Sequence, residues 1–379
     1  MRRIAVPPRP NWVGRLEAIE FAGWRRKDGS AYWVEDACFE LSADEVETLH
    51  EAAVVCETLV AAAVARAMED PAGLAQLGLS DRLAALAQVS WRRGDPSLYG
   101  RFDFAWDGSG PPKLLEYNAD TPTALYEAAV VQWRWLIDRD PEADQYNSIH
   151  ENLIEAWRKL APAIAKGGRL HLTSLQEEID DAATAAYLAD CAIQAGIETC
   201  LIDIADIGLK GGRLVDLEDR PITHLFKLYP WEWLVAEDEA FAAALLATDI
   251  GVLEPPWRVA AASKGLLVDL WRAATDCPYL LPTFWNEAAI IGDRVGKPIL
   301  GREGANVKLR FTDQVRDGVG PFGGQPHVWQ ARAAMPAFDG RTPVFGVWIV
   351  AGAPCGLGIR EDTAAVTGEG AYFIPHRIA

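Results

Sequence analysis

Two short segments of the chain set acids, bases and an amide at alternate positions. Arg101-Phe102-Asp103 lies in the alternating run 99–106, and Glu116-Tyr117-Asn118 lies in the run 113–118. Successive side chains of a strand point to opposite faces, so Arg101 shares a face with Asp103, and Glu116 shares one with Asn118. The intervening Asp107-Gly108-Ser109-Gly110-Pro111-Pro112 has turn composition. If the two strands pair as a hairpin, two carboxylates, one amide oxygen and one guanidinium converge. A hard, oxygen-only, anionic set suits Mg²⁺, with substrate phosphates completing the octahedron. The arginine could neutralise a phosphoryl oxygen. The same residues would also make a salt-bridge network across a surface hairpin.

A second group could handle phosphate. In VGKPILGREGANV, Lys297 enters a short strand over 297–299, Gly301-Arg302-Glu303-Gly304-Ala305-Asn306 forms a loop, and another strand starts at Val307. Glycines let backbone N–H groups approach phosphate, so the segment has the form of a nucleotide lid. A plain β-turn has the same composition. The pattern GxxxxGK[ST] is absent, and a strand rather than a helix follows, which excludes a Walker loop and the dinucleotide fingerprint. Lys264, in ASKGLL, is a further cation that could reach a phosphate or sit solvated on the surface. Arg360, in GIRED, faces away from Ile359 and enters a cleft if Ile359 enters the core; pairing with Glu361 or Asp362 is the alternative. Gln330 follows Trp329 at a strand end where an adenine could pack, although Trp329 also suits a core.

These residues need elements to hold them. Ser42–Glu45 reads as a capping box that opens a helix to about residue 68, which Asp70-Pro71 ends. A second helix is predicted over 81–93. Thr121 is predicted to cap a helix with Pro122 at its first position, running to about 137. Ser148–Glu151 reads as another capping box, with a helix to about 160. The stretch 169–229 reads as β-α-β-β with a parallel sheet, its second strand ending at Asp203 and Asp206. Residues 237–248 read as helix, and Lys264 begins another. KPIL, VKLRF, HVWQAR, PVFGVWIV and APCGLGIR then read as an antiparallel sheet, with AGAP as a hairpin turn.

Composition bounds the function. The chain has 379 residues, which predicts about two or three packed units. With 50% hydrophobic and 24% charged residues, long disorder is excluded. A net charge of −18 repels phosphate backbones and argues against a nucleic-acid partner; an acidic surface suits an amine substrate or simply solubility. Glu57 and Arg66 interrupt the most apolar stretch, 52–68, which reads as an amphipathic helix and not a membrane span. The N-terminal apolar run is too short for a secretory signal, so a cytoplasmic location is expected. Six scattered cysteines without CxxC fit reduced thiols, and six histidines without HExxH speak against a His-based metal site. The 15 tryptophans suit core and pocket walls.

Taken in order, PSLYGRFDFAWDGSGPPKLLEYNADTPTALYEAA, FKLYPWEW, ASKGLL, KPILGREGANV and GIRED resemble the glutathionylspermidine synthase family, most nearly its shorter, synthetase-only members. The resemblance covers essentially the full chain, beginning with YWVEDACFEL near Tyr32. It implies an α+β ATP-grasp fold with an adjoining pre-ATP-grasp-like α/β unit. Residues 1–165 would supply N-terminal helices and the metal-site hairpin, 166–235 the α/β unit, and 236–379 the nucleotide-binding portion with its glycine-rich lid.

The resemblance also implies ATP-dependent carboxylate–amine ligation through an acyl phosphate, with ATP and Mg²⁺ as cofactors. Asp103, Glu116 and Asn118 would be the metal ligands, and Arg101 and Arg360 the catalytic, phosphoryl-binding arginines. Lys264 and Lys297 would contact phosphate beneath a loop carrying Gly301, Gly304 and Asn306. Gln330 falls on the adenine side, and Thr121 and Thr123 at the acid substrate's end. The implied partners are a small-molecule carboxylate such as a thiol peptide and an amine such as a polyamine, with neither nucleic acid nor membrane. Bifunctional members carry an N-terminal amidase; here the residues before the metal motif read as helices, so synthesis without hydrolysis is expected. A magnesium-dependent small-molecule kinase would use the same phosphate machinery. A nucleotide-binding module without catalysis would be expected to lack a metal ligand, and none is missing.

Overall fold

The computed structural model describes residues 1–26, 28–368 and 370–379. In chain order, β1 (Arg2–Ala5), α1 (Trp12–Glu17) and β2 (Ala37–Leu41) lead into α2 (Ala43–Met68). Ser42 opens α2 as expected: its hydroxyl accepts from the Glu45 N–H at 3.2 Å, and the Glu45 carboxylate accepts from the Ser42 N–H at 2.8 Å. By length and composition alone, α2 could cross a membrane. It buries Leu49, Ala52, Cys56, Val60, Ala63 and Ala67 at helical spacing against the core. Asp70-Pro71 starts a helix as well as following one. The Asp70 carboxylate accepts from the Ala72 N–H, and Pro71 takes the first turn of α3 (Pro71–Gln76), where its missing N–H costs nothing. Then come α4 (Asp81–Arg93), β3 (Tyr99–Ala105) and β4 (Lys113–Asn118).

Thr121 does not cap a helix. Its hydroxyl accepts from Arg302, and Ala124 has a left-handed backbone (φ 67°) that no helix continues through. A π-helical turn, Glu127–Val131, leads into α5 (Gln132–Ile137). The next helix, α6 (Ile149–Gly167), runs past residue 160 and through Pro162, and the Ser148 side chain does not cap it.

The α/β region holds β5 (Leu170–Ser174), α7 (Ile179–Gln194), β6 (Thr199–Asp203), a small hairpin of β7 (Gly208–Lys210) and β8 (Arg213–Val215), and β9 (His224–Lys227). Next are α8 (Trp231–Glu237), α9 (Glu239–Ala247) and β10 (Gly251–Leu253). The parallel sheet has the order β10-β9-β5-β6, so it takes in a strand beyond residue 235, where the sequence reading ended the unit. Asp203 is a turn residue: its carboxylate accepts from the Ala205 and Gln176 N–H groups.

The remaining elements are α10 (Arg258–Ala262), α11 (Leu266–Ala273), β11 (Thr283–Phe284), β12 (Arg294–Pro298), β13 (Lys308–Arg310), β14 (Val315–Asp317), β15 (His327–Ala331), β16 (Thr342–Val350), β17 (Ala353–Asp362), β18 (Tyr372–Ile374) and β19 (His376–Ile378). Lys264 sits between α10 and α11 and does not begin a helix. The predicted single antiparallel sheet is two: β11-β15-β12-β13-β14, and β18-β17-β16-β3-β4, which recruits the early hairpin. The β16–β17 turn at Ala351 and Gly352 has positive φ at both residues, the type I′ geometry that matches strand twist. A three-stranded sheet, β1-β2-β19, closes the two ends of the chain together.

Candidate active site

Pairing of β3 with β4 sets Arg101 opposite Asn118 and Asp103 opposite Glu116. All four project from one face of the sheet, while Phe102 and Tyr117 stack on the other with ring centres 3.8 Å apart. One extra residue, Leu115, bulges between Glu116 and Leu114. The bulge turns two carbonyls toward the other antiparallel sheet. Leu115 O accepts from Lys297 Nζ at 2.8 Å, and Leu114 O accepts from Gln330 Nε2 at 3.2 Å. Lys297 Nζ also donates to Gln330 Oε1 at 2.7 Å.

Arg360 does enter the cleft. Its neighbour Ile359 is fully buried, and its guanidinium donates to Asp103 at 2.7 Å and not to Glu361 or Asp362. Arg101 grips the same carboxylate from its own strand at 2.6 and 3.0 Å. Room for Arg101 comes from Gly346: a Cβ there would lie 2.7 Å from Arg101 Cδ. Asn118 Nδ2 donates to Asp103 at 3.1 Å and reaches Glu116 at 3.4 Å. Lys264 pairs with Glu116 at 3.1 Å and donates to Gly301 O, the first carbonyl of the glycine loop, at 2.7 Å. Trp329 is buried beside Gln330 and lines no part of the cleft.

These side chains line a cleft of about 400 Å³ between the two antiparallel sheets and the C-terminal ends of the parallel strands. Gly301, Gly304, Thr121 and Thr123 line it too. Asn306 does not; it organises the loop, accepting from the Phe322 N–H at 2.8 Å. The electrostatics are lopsided. Arg101, Arg360, Lys264 and Lys297 face two carboxylates, so a chain with net charge −18 holds a local excess of cations. Burial pushes the Lys297 ammonium down to about 8, against the pull of Glu116 and with the help of Lys264. Burial also lowers Arg360, with Arg101 beside it. Burial raises Glu116, but Lys264 and Lys297 outweigh it and hold the carboxyl well below its usual range. Cations left under-compensated in a cleft fit a polyanion, and the oxygen-bearing set Asp103, Glu116 and Asn118 fits a hard divalent cation.

Sequence reasoning missed two contributors. Arg302, inside the glycine loop, reaches across the cleft to Thr121 Oγ1 at 2.6 Å and Glu232 at 2.8 Å, with its guanidinium over Trp233. Asp181, in the first turn of α7, lines the far end; burial, with Asp180, Glu178 and Glu303 adding, pushes its carboxyl up to about 6. The run Glu177–Asp181 reads in sequence only as the acidic start of a helix.

The model of the family described as glutathionylspermidine synthase preATP-grasp matches residues 3–379. A Haemophilus influenzae protein whose name proposes an acid–amine ligase is 36% identical over 398 residues, covering 99% of each chain. A trypanothione synthetase of Crithidia fasciculata is 26% identical over 83% of this chain and 52% of its own length. The bifunctional glutathionylspermidine synthetase/amidase of Escherichia coli is 27% identical over 74% of this chain and 49% of its own length. The chain thus spans the first relative fully and about half of each of the other two. Among solved structures, a glutathione synthetase-like effector from Globodera pallida in its apo form superposes with a TM-score of 0.56 over 99% of this chain and all of that one, at 10% identity, a likeness of fold alone.

Proposed function

The chain belongs to the glutathionylspermidine synthase family, with its ATP-grasp fold, and from that premise we propose that the cleft joins a small-molecule carboxylate to an amine at the expense of ATP. The observation that carries this reading is the β3–β4 face: two carboxylates and an amide opposite four cations, in a cleft of about 400 Å³, the size class of small-molecule sites. Asp103, Glu116 and Asn118 would hold Mg²⁺, with the Asn118 amide turned so that its oxygen faces the carboxylates. A bound Mg²⁺ supplies charge neutralisation for the phosphates.

We assign the chain's own groups the following roles, which their positions support. Lys264 and Lys297 bind phosphate oxygens under the Gly301–Asn306 loop, and Gln330 orients Lys297 at the adenine side. Arg101 and Arg360 sit where negative charge grows as a substrate carboxylate attacks the γ-phosphorus, the P–O bond to ADP breaks and an acyl phosphate forms. An amine then attacks the acyl carbon, phosphate leaves, and no protein nucleophile is consumed. Thr121 and Thr123 stand at the acid's end. At the far end, Asp181 and its acidic neighbours repel one another, and an ammonium of the acceptor would relieve that repulsion.

We propose synthesis without amide hydrolysis by these residues. The Cys191 thiol, 3.7 Å from His150 Nδ1, is buried and pushed up to about 12, which leaves it a poor nucleophile. A cytoplasmic location is supported by six unpaired cysteines.

The test is an ADP-release screen over thiol peptides and polyamines, starting with glutathione and spermidine, with mass spectrometry of the products. ADP and phosphate are expected only when acid and amine are both present, with an amide lighter than the summed substrates by one water. A phosphorylated product from a hydroxyl acceptor would instead establish a kinase.

A further inference from the structure

The small β7–β8 hairpin covers one face of the parallel sheet and brings together three side chains that the ligase cleft does not use. His171 stands on β5, Cys200 beside it on β6 in register, and Asp216 just after β8. A ring nitrogen of His171, Cys200 Sγ and a carboxylate oxygen of Asp216 all lie within 4.8 Å of one another. None of the three lines the ligase cleft.

We propose that His171, Cys200 and Asp216 form a three-ligand site for a borderline divalent cation, with Zn²⁺ the best match, whose fourth position is left to water. The donor chemistry selects the metal. One imidazole, one thiolate and one carboxylate suit Zn²⁺ and not Mg²⁺ or Ca²⁺, which take oxygen. The geometry is close to what zinc requires. Bonds of about 2.0–2.3 Å in a tetrahedron set ligand atoms about 3.3–3.8 Å apart. The His171 Nε2–Asp216 Oδ2 edge is already 3.2 Å, and the edges to sulfur close by about 1 Å at most.

The His171 ring leaves room for a ligand rather than a closed polar contact. Its side chain is 1% exposed and its Nδ1 has no hydrogen-bond partner, so Nδ1 can carry the ring proton when Nε2, the nitrogen that faces Asp216, takes a cation. Cys200 is half-buried, so the sulfur can be reached from solvent. One group competes. Arg220 Nε donates to Asp216 Oδ2 at 2.9 Å, but its side chain is 38% exposed and can leave. The Asp216 carboxylate also accepts from the Glu218 and Arg220 N–H groups through its other oxygen, which holds it in place for either cation. Metal entry balances as follows: the Cys200 thiol loses its proton to solvent, the His171 proton shared with Asp216 moves from Nε2 to the open Nδ1, the thiolate and Nε2 bind the cation, and the Arg220 guanidinium swings out to water.

The test uses the full chain, stripped with a chelator and titrated with Co²⁺ alone and then Zn²⁺ alone. Expected are a thiolate-to-cobalt charge-transfer band saturating at one ion per chain, and displacement of that band by Zn²⁺. The band reports sulfur, so it separates this site from the oxygen ligands of the ligase cleft. Cys200→Ser should abolish the band and weaken Zn²⁺ about 100-fold or more, at least the effect of losing an outer-shell partner. Arg220→Gln should tighten Zn²⁺ about tenfold, because it removes a cation that competes for Asp216. No band, a band that survives Cys200→Ser, or Zn²⁺ affinity unchanged or weakened in Arg220→Gln would each overturn the site.

Discussion

Asp120 and Lys227 use the same side-chain chemistry as Glu116 and Lys264, and Asp120 follows Asn118 by only two residues, yet the two clusters have opposite character. Lys227 Nζ donates to Asp120 Oδ1 at 2.6 Å and to Tyr229 O at 2.8 Å, while the Trp231 N–H donates to Asp120 Oδ2 at 3.1 Å. The two side chains are 0% and 2% exposed, and the ammonium lies over the Trp231 ring. Both carboxylate oxygens and two of the three ammonium protons are committed, one charge answers one charge, and the space beside Asp120 is about 30 Å³, room for a water at most. At the β3–β4 face of the cleft, four cations answer two carboxylates beside about 400 Å³ of space. A Lys–carboxylate contact is therefore ambiguous by itself. Saturation without volume marks a structural pair, whereas charge imbalance beside a volume marks a place for a ligand.

The sharpest break of this comparison separates activity from stability. Asp103→Ala and Glu116→Ala should each lower magnesium-dependent turnover by about 10³-fold, the upper range for losing one group that stabilises transition-state charge. The Glu116→Ala urea midpoint should stay close to that of the parent, since its side chain is 27% exposed; Asp103→Ala should lose stability as well, because it strands the buried Arg101 guanidinium. Near-normal turnover in both would return the cleft to a salt-bridge network. The reverse pattern belongs to the closed pair. Asp120→Asn or Lys227→Met should cost about 3–5 kcal/mol of stability by stranding a buried charge, and the double variant should recover most of it. Equilibrium urea unfolding reads all three, and additive losses would contradict a closed pair.

Smaller effects refine the picture. Lys264→Ala and Lys297→Ala should each weaken binding of a non-hydrolysable ATP analogue by about 10–100-fold, which calorimetry measures; that is about 1.5–3 kcal/mol for a charged contact. Unchanged affinity in both would make them solvated lysines. A pH effect concerns a buried ionisable group with no charged partner among the described residues. His376 is fully buried, bonds Gln132 through Nδ1, and is pushed down to about 3 by burial alone. Between its ordinary value of about 6.5 and about 3, the unfolded chain binds a proton that the folded chain refuses, so stability falls with acid in that window. The loss is about 1.4 kcal/mol per pH unit. His376→Gln should flatten this part of the stability–pH curve, and an unchanged slope would assign the acid sensitivity elsewhere.

Much of the cleft was legible because it is built from local patterns. Period-two alternation and the Asp107–Pro112 turn put Arg101, Asp103, Glu116 and Asn118 on one face, and the Ser42 box set the start of α2. What escaped was long-range. Thr121-Pro122 has the composition of a helix start, but Arg302 takes the hydroxyl from 181 residues away. The β7–β8 turn at Gly211 and Gly212, both with positive φ, was written in Lys210-Gly211-Gly212-Arg213 and needed only its two short flanking strands to be seen. Spacing rules for metal ligands could not find His171, Cys200 and Asp216, because three different strands bring them together. Division of the C-terminal strands between two sheets depends on β3 joining β16, a pairing between opposite ends of the chain.

The bulge at Leu115 separates two design requirements that are easily confused. Leu114 pairs with Phe104 and faces the core, while Glu116 pairs with Asp103 and faces the cleft. Residues two apart in a regular strand cannot do this, but adjacent residues can. Deleting Leu115 would heal the ladder and leave Glu116 and Asn118 still aimed into the cleft. The deleted residue would take with it the carbonyl that Lys297 holds. The chain is thus one residue longer here than its side-chain facing demands, and the surplus residue works as a tether between two sheets. A one-residue deletion at this point should fold with its carboxylates correctly displayed and with the sheet that carries Lys297 free to drift, so shortening the strand would change the spacing of the cleft's two walls before it changed their chemistry.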